Sequence, residues 1–261
     1  MPALARFVLC ILVAASPAAR VSATPPDDPG ALAEAYFDET EHFDALLTFE
    51  SRRGPASMVF TLARRFRGGL AELLFDIREP TAFRKWALLA RQTRGGSDDL
   101  FAYFAEATGR RVRRISAAHL ERQAAFSLFA IGDFRPPAPG ELAYESAGEL
   151  TVAGRPIRVV IGRPTHGALG FDRVELRFDA ATGLLLESRY LRGEQEFRRI
   201  SIALEAYEEH DGRRLPMRRS VRSWGDDGVT ELLLLRVLPT PELPDALFSH
   251  RNLVAQRFPD F

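Results

Sequence analysis

Few residues in this chain have the type and spacing that covalent or metal chemistry needs. Five histidines, His42, His119, His166, His210 and His250, are scattered over different segments, and none stands in an H-E-x-x-H or comparable ligand spacing. Ser57 follows Gly54-Pro55-Ala56 without a nucleophile elbow, and no Walker A or G-x-G-x-x-G run occurs. The carboxylate pairs Asp98-Asp99, Glu208-Glu209 and Asp226-Asp227 stand at turns, where acids serve solvation and turn formation. The expectation is a protein that is not an enzyme and carries no metal and no cofactor.

One stretch is chemically unusual. Gly109 to Phe134 reads GRRVRRISAAHLERQAAFSLFAIGDF, a knot of arginines followed by an almost uncharged run of alanines and phenylalanines. Nucleic acid is an unsuitable partner for it. The chain has 35 basic and 35 acidic residues, so its net charge is zero and no global field draws phosphate. All the basic residues except Lys85 are arginine, a skew that fits a GC-rich genome.

The front end, MPALARFVLCILVAASPAARVSATPPDD, has the form of a secretory signal. Arg6 is its positive region, Phe7 to Ala15 an apolar core of about nine residues, and Val21-Ser22-Ala23 its cleavage site. An apolar run that short cannot span a bilayer, which takes roughly 20 residues. Cleavage after Ala23 removes Cys10, the one cysteine, and leaves a mature chain without disulfide or thiol. Export without disulfides points to a bacterial periplasm. The expected division is residues 1–23 as signal and 24–261 as a single domain, large enough to stand on its own core.

What positions these residues is a series of strands. After a short amphipathic helix over Ala31 to Phe43, the hydrophobic period becomes two. Strand-like runs follow, among them Ser57 to Phe66, Leu70 to Arg78, Phe83 to Arg91, Asp99 to Ala105, Phe171 to Asp179, Leu184 to Arg192 and Glu196 to Tyr207. Gly68-Gly69, Asp211-Gly212 and similar pairs separate them, which predicts an antiparallel meander. Ser116 to Ala130 reads as a helix, and Leu243, Leu247 and Phe248 as the packed side of a Pro-broken helical turn.

The strands differ in which faces are wet. Val174, Leu176 and Phe178 alternate with Arg173, Glu175 and Arg177, so that strand has one solvent face. Ser57 to Phe66 and Asp99 to Ala105 are apolar on both faces, and Leu232 to Leu235 is four leucines in a row. Bare apolar patches beyond a few hundred Å² are unusual on a soluble monomer, so both faces need cover. A barrel closed on its own core would supply it; so would a part-curled trough holding an acyl chain, or a docked partner protein.

Three segments resemble the LolA-like family of outer membrane lipoprotein-sorting proteins, in particular its larger branch. Leu74 to Ala90 (LFDIREPTAFRKWALLA) looks like the family's strand, Glu-Pro turn and next strand. Ala102 to Ser116 (AYFAEATGRRVRRIS) is similar to its Tyr-containing strand and basic turn. Thr230 to Leu253 (TELLLLRVLPTPELPDALFSHRNL) matches its ending, with Pro-Asp-x-Leu-Phe and a final Asn-Leu. Of the Gly/Ser-Asp and Tyr-x-Asp pattern usual after the basic turn, Phe126 to Phe134 keeps only Asp133.

The resemblance implies a mainly β fold with a few helices (α+β): a strongly curved antiparallel sheet forming an incomplete barrel lidded by short helices. It also implies a monomeric periplasmic carrier that takes lipid or lipoprotein acyl chains from an inner-membrane transporter and hands them to an outer-membrane acceptor. The lining residues chosen on that basis are Phe60, Leu62, Phe75, Trp86, Phe101, Tyr103, Phe126 and Phe129. Leu120, Ala124, Phe126, Leu128 and Phe129 would form the apolar side of a lid helix. Arg111 and Arg114 would stand at the rim for a head group or an acidic partner, or else pair with Glu106 and Glu121. The rival reading is an accessory module of an envelope exporter that docks a membrane partner and binds no lipid.

Overall fold

The computed structural model describes residues 24–255, apart from 85, 95–96, 107–108, 117–118, 120–126, 167–168 and 241, and apart from the side chains of 104–106 and 109–111. The expected signal segment and Phe126 therefore lie outside the described residues, as does the side chain of Arg111. The chain begins with helix α1 (Pro29–Thr40). Strands β1 (Ala45–Arg53), β2 (Ala56–Arg67), β3 (Leu70–Glu79), β4 (Trp86–Arg91), β5 (Asp99–Glu106) and β6 (Gly109–Ile115) follow as a meander. A second run contains β7 (Leu142–Val152), β8 (Arg155–Pro164), β9 (Arg173–Asp179), β10 (Leu185–Arg192) and β11 (Gln195–Ser201). After the hairpin β12 (Tyr207–His210) and β13 (Arg213–Pro216) come β14 (Arg218–Ser223), β15 (Asp226–Pro239) and helix α2 (His250–Ala255).

Thirteen of these strands form one antiparallel sheet in the order β6-β5-β4-β3-β2-β1-β15-β14-β11-β10-β9-β8-β7. Long β15 joins the two meanders, pairing β1 on one side and β14 on the other. The tight turns follow the expected chemistry. Gly68 and Gly69 have φ of 59° and 79°, and Asp211 and Gly212 have φ of 49° and 73°, the positive values that a two-residue hairpin turn requires.

The structure departs from the sequence reading at three places. The run expected as one strand over Glu196 to Tyr207 is broken after Ser201 by a 3-10 turn at Leu204–Ala206, and only Tyr207 continues into β12, which pairs with β13 as a separate two-stranded ribbon. The basic stretch Gly109 to Ile115 is a full edge strand, with Tyr103 opposite Val112 and Phe101 opposite Arg114. Of the helix expected over Ser116 to Ala130, the described residues 127–130 are not helical, and a 3-10 turn follows at Ile131–Phe134.

The apolar faces are covered from two sides. One face of β1–β6 is covered by the C-terminal segment: Leu243, Leu247, Phe248 and Leu253 pack on Leu46, Ala63, Leu74, Leu89 and Tyr103. Asn252 Nδ2 donates to the Leu247 carbonyl at 2.9 Å and so satisfies a buried amide within this cover. The opposite face carries the main core, in which Phe49, Phe60, Leu62 and Leu73 meet Leu128, Phe129 and Phe134. In the second meander, α1 covers the sheet by setting Leu32, Ala33 and Tyr36 on Val160, Val174, Leu176, Phe178, Leu185 and Ile202. Asp28 starts that helix as its N-cap, accepting from the Ala31 N–H at 2.7 Å.

Candidate functional site

Between α1, the 132–137 segment and the second meander lies a cavity of about 850 Å³. That is within the roughly 300–1,000 Å³ of ordinary small-molecule sites. Cross-strand register brings together its floor, Ile200, Ser188 and Leu176 in one row and Arg198, Tyr190 and Val174 in the next. Val221, Ile200, Ser188, Leu176 and Val160 oppose one another in one row from β14 to β8. The adjacent row runs Ser223, Arg198, Tyr190, Val174 and Gly162. Leu185 and Ile202 extend the apolar part, and Leu169 and Phe171 close it from the loop before β9. The far wall includes Ile115 and Ser116, from the end of β6 at the opposite edge of the sheet order.

One end of this cavity is strongly charged. Arg198 Nη2 lies 2.9 Å from Asp133 Oδ1, and both side chains are almost fully buried. Arg219 Nη2 donates to Glu41 Oε1 at 2.6 Å, while Arg64 Nη1 donates to the other oxygen of Glu41 at 2.5 Å. Arg135 bridges Glu141, at 2.6 Å, and Asp98. Burial alone would push the Glu41 carboxyl up, but the charges of Arg219 and Arg64 outweigh it and hold it below its ordinary value. For Asp133 burial wins: its carboxyl lies above the ordinary range despite Arg198. Burial likewise raises the phenols of Tyr36 and Tyr207, whose hydroxyls meet at 3.2 Å beside this cluster.

The residues chosen from sequence surround the cavity more than they line it. Phe60, Leu62 and Phe129 are buried in the main core, and half-buried Phe75 packs beside them. The Phe134 ring fills the space among them, 5.4 Å from Phe60 and 5.5 Å from both Phe49 and Phe75. Trp86 is half-buried at the end of β4, edge-on to Phe83 at 4.7 Å. Phe101 and Tyr103 face the other way, beneath the C-terminal segment, with Phe101 4.0 Å from the His250 ring. Arg114 does line the cavity; it is exposed and pairs with Asp99.

Arg198, Arg219, Asp133 and Glu41 were not singled out as lining, although Asp133 stood out as the retained residue of its segment. A signal for the arginines exists in the alternation: Arg198 shares its face with Ile200, and Arg219 shares its face with Val221. A charge at an inward position marks a polar site on an otherwise apolar wall. Reading it requires knowing which of the neighbours Arg198 and Arg199 points inward, and two arginines in sequence leave that ambiguous.

No curated protein matches the sequence. Among solved structures, the chain is similar to a domain from Vibrio parahaemolyticus named for outer membrane lipoprotein sorting, with a TM-score of 0.74 at 18% identity, covering 85% of this chain and 96% of that one. A DUF1329 family protein from Desulfovibrio piger superposes with a TM-score of 0.71 at 20% identity, over 85% and 96% of the two chains. A LolA superfamily protein from Nitrosomonas europaea gives 0.67 at 14% identity, over 85% and 98%. At these identities the likeness is one of fold. A family model with the description "-like: Uncharacterized protein" matches residues 69–255, so the chain belongs to that family, and its fold is LolA-like.

Proposed function

We propose that this protein is an exported carrier that holds acyl chains of lipoproteins or other envelope lipids in the cavity and hands them on, by binding rather than catalysis. On this reading residues 1–23 are removed on export, and 24–261 act in the periplasm as one domain. The observation that carries it is the cavity itself: about 850 Å³ against Val174, Leu176, Leu185, Ile200 and Ile202, in a LolA-like fold.

Curvature of the sheet belongs to the same reading. β6 and β9 stand ten strand spacings apart in the sheet order, roughly 50 Å on a flat sheet at about 4.8 Å per strand. Residues of both line one cavity, which supports a sheet bent into an incomplete barrel around it. The lid in this reading is the stretch ending in Phe129 and Phe134, which fills the first half of the trough and leaves the second half open.

Burying a chain contributes roughly 0.8 kcal/mol per CH₂, so a wholly apolar trough would release its cargo too slowly for transfer. Native mass spectrometry of the mature protein purified from a periplasm, before and after organic extraction, tests the reading. A discrete adduct with the mass of a lipid or acylated peptide, lost on extraction, is expected. A clean apo mass with no uptake of an added fluorescent fatty acid would overturn it in favour of the docking module.

A further inference from the structure

Beside Glu41 the charged end of the cavity holds more positive than negative charge. Arg64 and Arg219 share the single carboxylate of Glu41, whereas Arg198 has Asp133 and Arg135 has both Asp98 and Glu141. Two buried or nearly buried guanidinium groups therefore face one carboxylate there. An unbalanced buried charge is unfavourable unless a counter-charge reaches it. Solvent reaches Arg219 only through a side chain 15% exposed, and its Nε is buried without a hydrogen-bond partner among the described residues. Arg219 also lines the cavity, so a ligand entering there meets this group.

Register fixes what lies next to it. Arg219 is on the face of β14 that carries Val221, and Val221 is opposite Ile200. From Ile200 the row continues through Ser188 to Leu176, away from the arginines. A molecule with its charged end at Arg219 would lay its apolar part along Ile200, Leu176 and Leu185. The Ser188 hydroxyl interrupts that path once. The wall is thus polarised, cationic at one end and aliphatic along its length.

We propose that the cavity takes an amphiphile with an anionic head group, carboxylate or phosphate, seated on Arg219 with its single tail along the Ile200–Leu176 row. This rests on the carrier reading and narrows it, since an uncharged acyl ester would leave the excess cation uncompensated.

The test is competition against a bound fluorescent fatty acid, using palmitic acid, methyl palmitate, hexadecylamine, hexadecyl phosphate and inorganic phosphate on the mature protein. Palmitic acid and hexadecyl phosphate are expected to bind about tenfold or more tighter than the ester and the amine, the scale of one charge-assisted hydrogen bond. Inorganic phosphate should not compete, which separates a tailed head group from a free anion. Arg219→Gln, with its folding checked by thermal unfolding, should bring the acid-to-ester ratio close to one. Ester binding as tight as acid in the native protein would overturn the inference and leave the carrier reading standing. Competition by inorganic phosphate as strong as by hexadecyl phosphate would overturn it in favour of a free-anion site. Binding of none of the tailed probes would defeat the carrier reading and this inference with it.

Discussion

Asp133 lies at the turn that ends the filling segment, and its Oδ1 is 2.9 Å from Arg198 Nη2 on β11, tying the filled half of the sheet face to the open half. Its second oxygen accepts from the Ala130 N–H at 2.8 Å. Because burial leaves this carboxyl above its ordinary range, the pair contributes little over the same groups in water. Removing one member is another matter. Asp133→Asn keeps an acceptor for Ala130 but removes the negative charge facing Arg198, and losing one partner of a buried pair costs about 3–5 kcal/mol. Urea unfolding of the variant measures this, and a loss under about 1 kcal/mol would show that solvent already reaches Arg198.

The neighbouring Phe134 supplies a second prediction. Its ring lies against Phe49, Phe60 and Phe75, and deleting a buried phenyl group costs about 3–5 kcal/mol. The same deletion opens space beside Gly132 and Asp133, which already line the cavity. Phe134→Ala should therefore fall in stability and shift its preference towards longer fatty acids. A titration with acyl chains of increasing length reads the shift; an unaltered preference would mean that the filled and open halves are not continuous.

A pH effect is expected from Asp76 on β3, a buried carboxyl paired with Arg78 at 2.7 Å. Burial raises it from an ordinary 3.8 to about 6, with Arg78 opposing. Between those values the folded protein binds more protons than the unfolded chain, so stability falls as pH rises through the window and the penalty is complete above about pH 6. Asp76→Asn should flatten this fall and be more stable at pH 7 by on the order of 1 kcal/mol after solvent screening. Melting temperatures from pH 4 to 7 decide it: parallel profiles for the two proteins would remove Asp76 as the cause.

How far the sequence could lead is clearest in β5 and β9. The two-faced character of β5, with Phe101 and Tyr103 on one side and Leu100 on the other, correctly called for cover on both sides, and the C-terminal leucines and Phe248 were legible as part of it. Alternation says that a face is covered, however, and not by what. Phe101 and Tyr103 are under a permanent cover of the chain's own residues, while Val174 and Leu176, on a strand with an ordinary wet face, border the open space. Local pattern cannot separate these cases, because the difference arises from where α1 and the Phe134 turn stop covering the sheet.

That difference gives the last prediction, in which the two faces are perturbed separately. Phe248 is 1% exposed, with the Arg65 guanidinium 4.2 Å above its ring. Arg65 in turn bonds Glu72 at 2.5 Å and Asp245 at 2.6 Å, fastening the cover to β2 and β3. Phe248→Ala removes the centre of that cover and should cost about 3–5 kcal/mol, yet fatty-acid affinity per folded molecule should stay the same because the cavity is on the other face. Leu176→Trp places extra bulk into the cavity and should do the reverse, keeping a cooperative unfolding transition while uptake falls at least about tenfold. Chemical denaturation paired with fluorescent fatty-acid binding on both variants reads the contrast. If Phe248→Ala weakened binding as much as Leu176→Trp, the ligand would have to lie beneath the C-terminal segment, against Phe101 and Tyr103, and not beside Arg219.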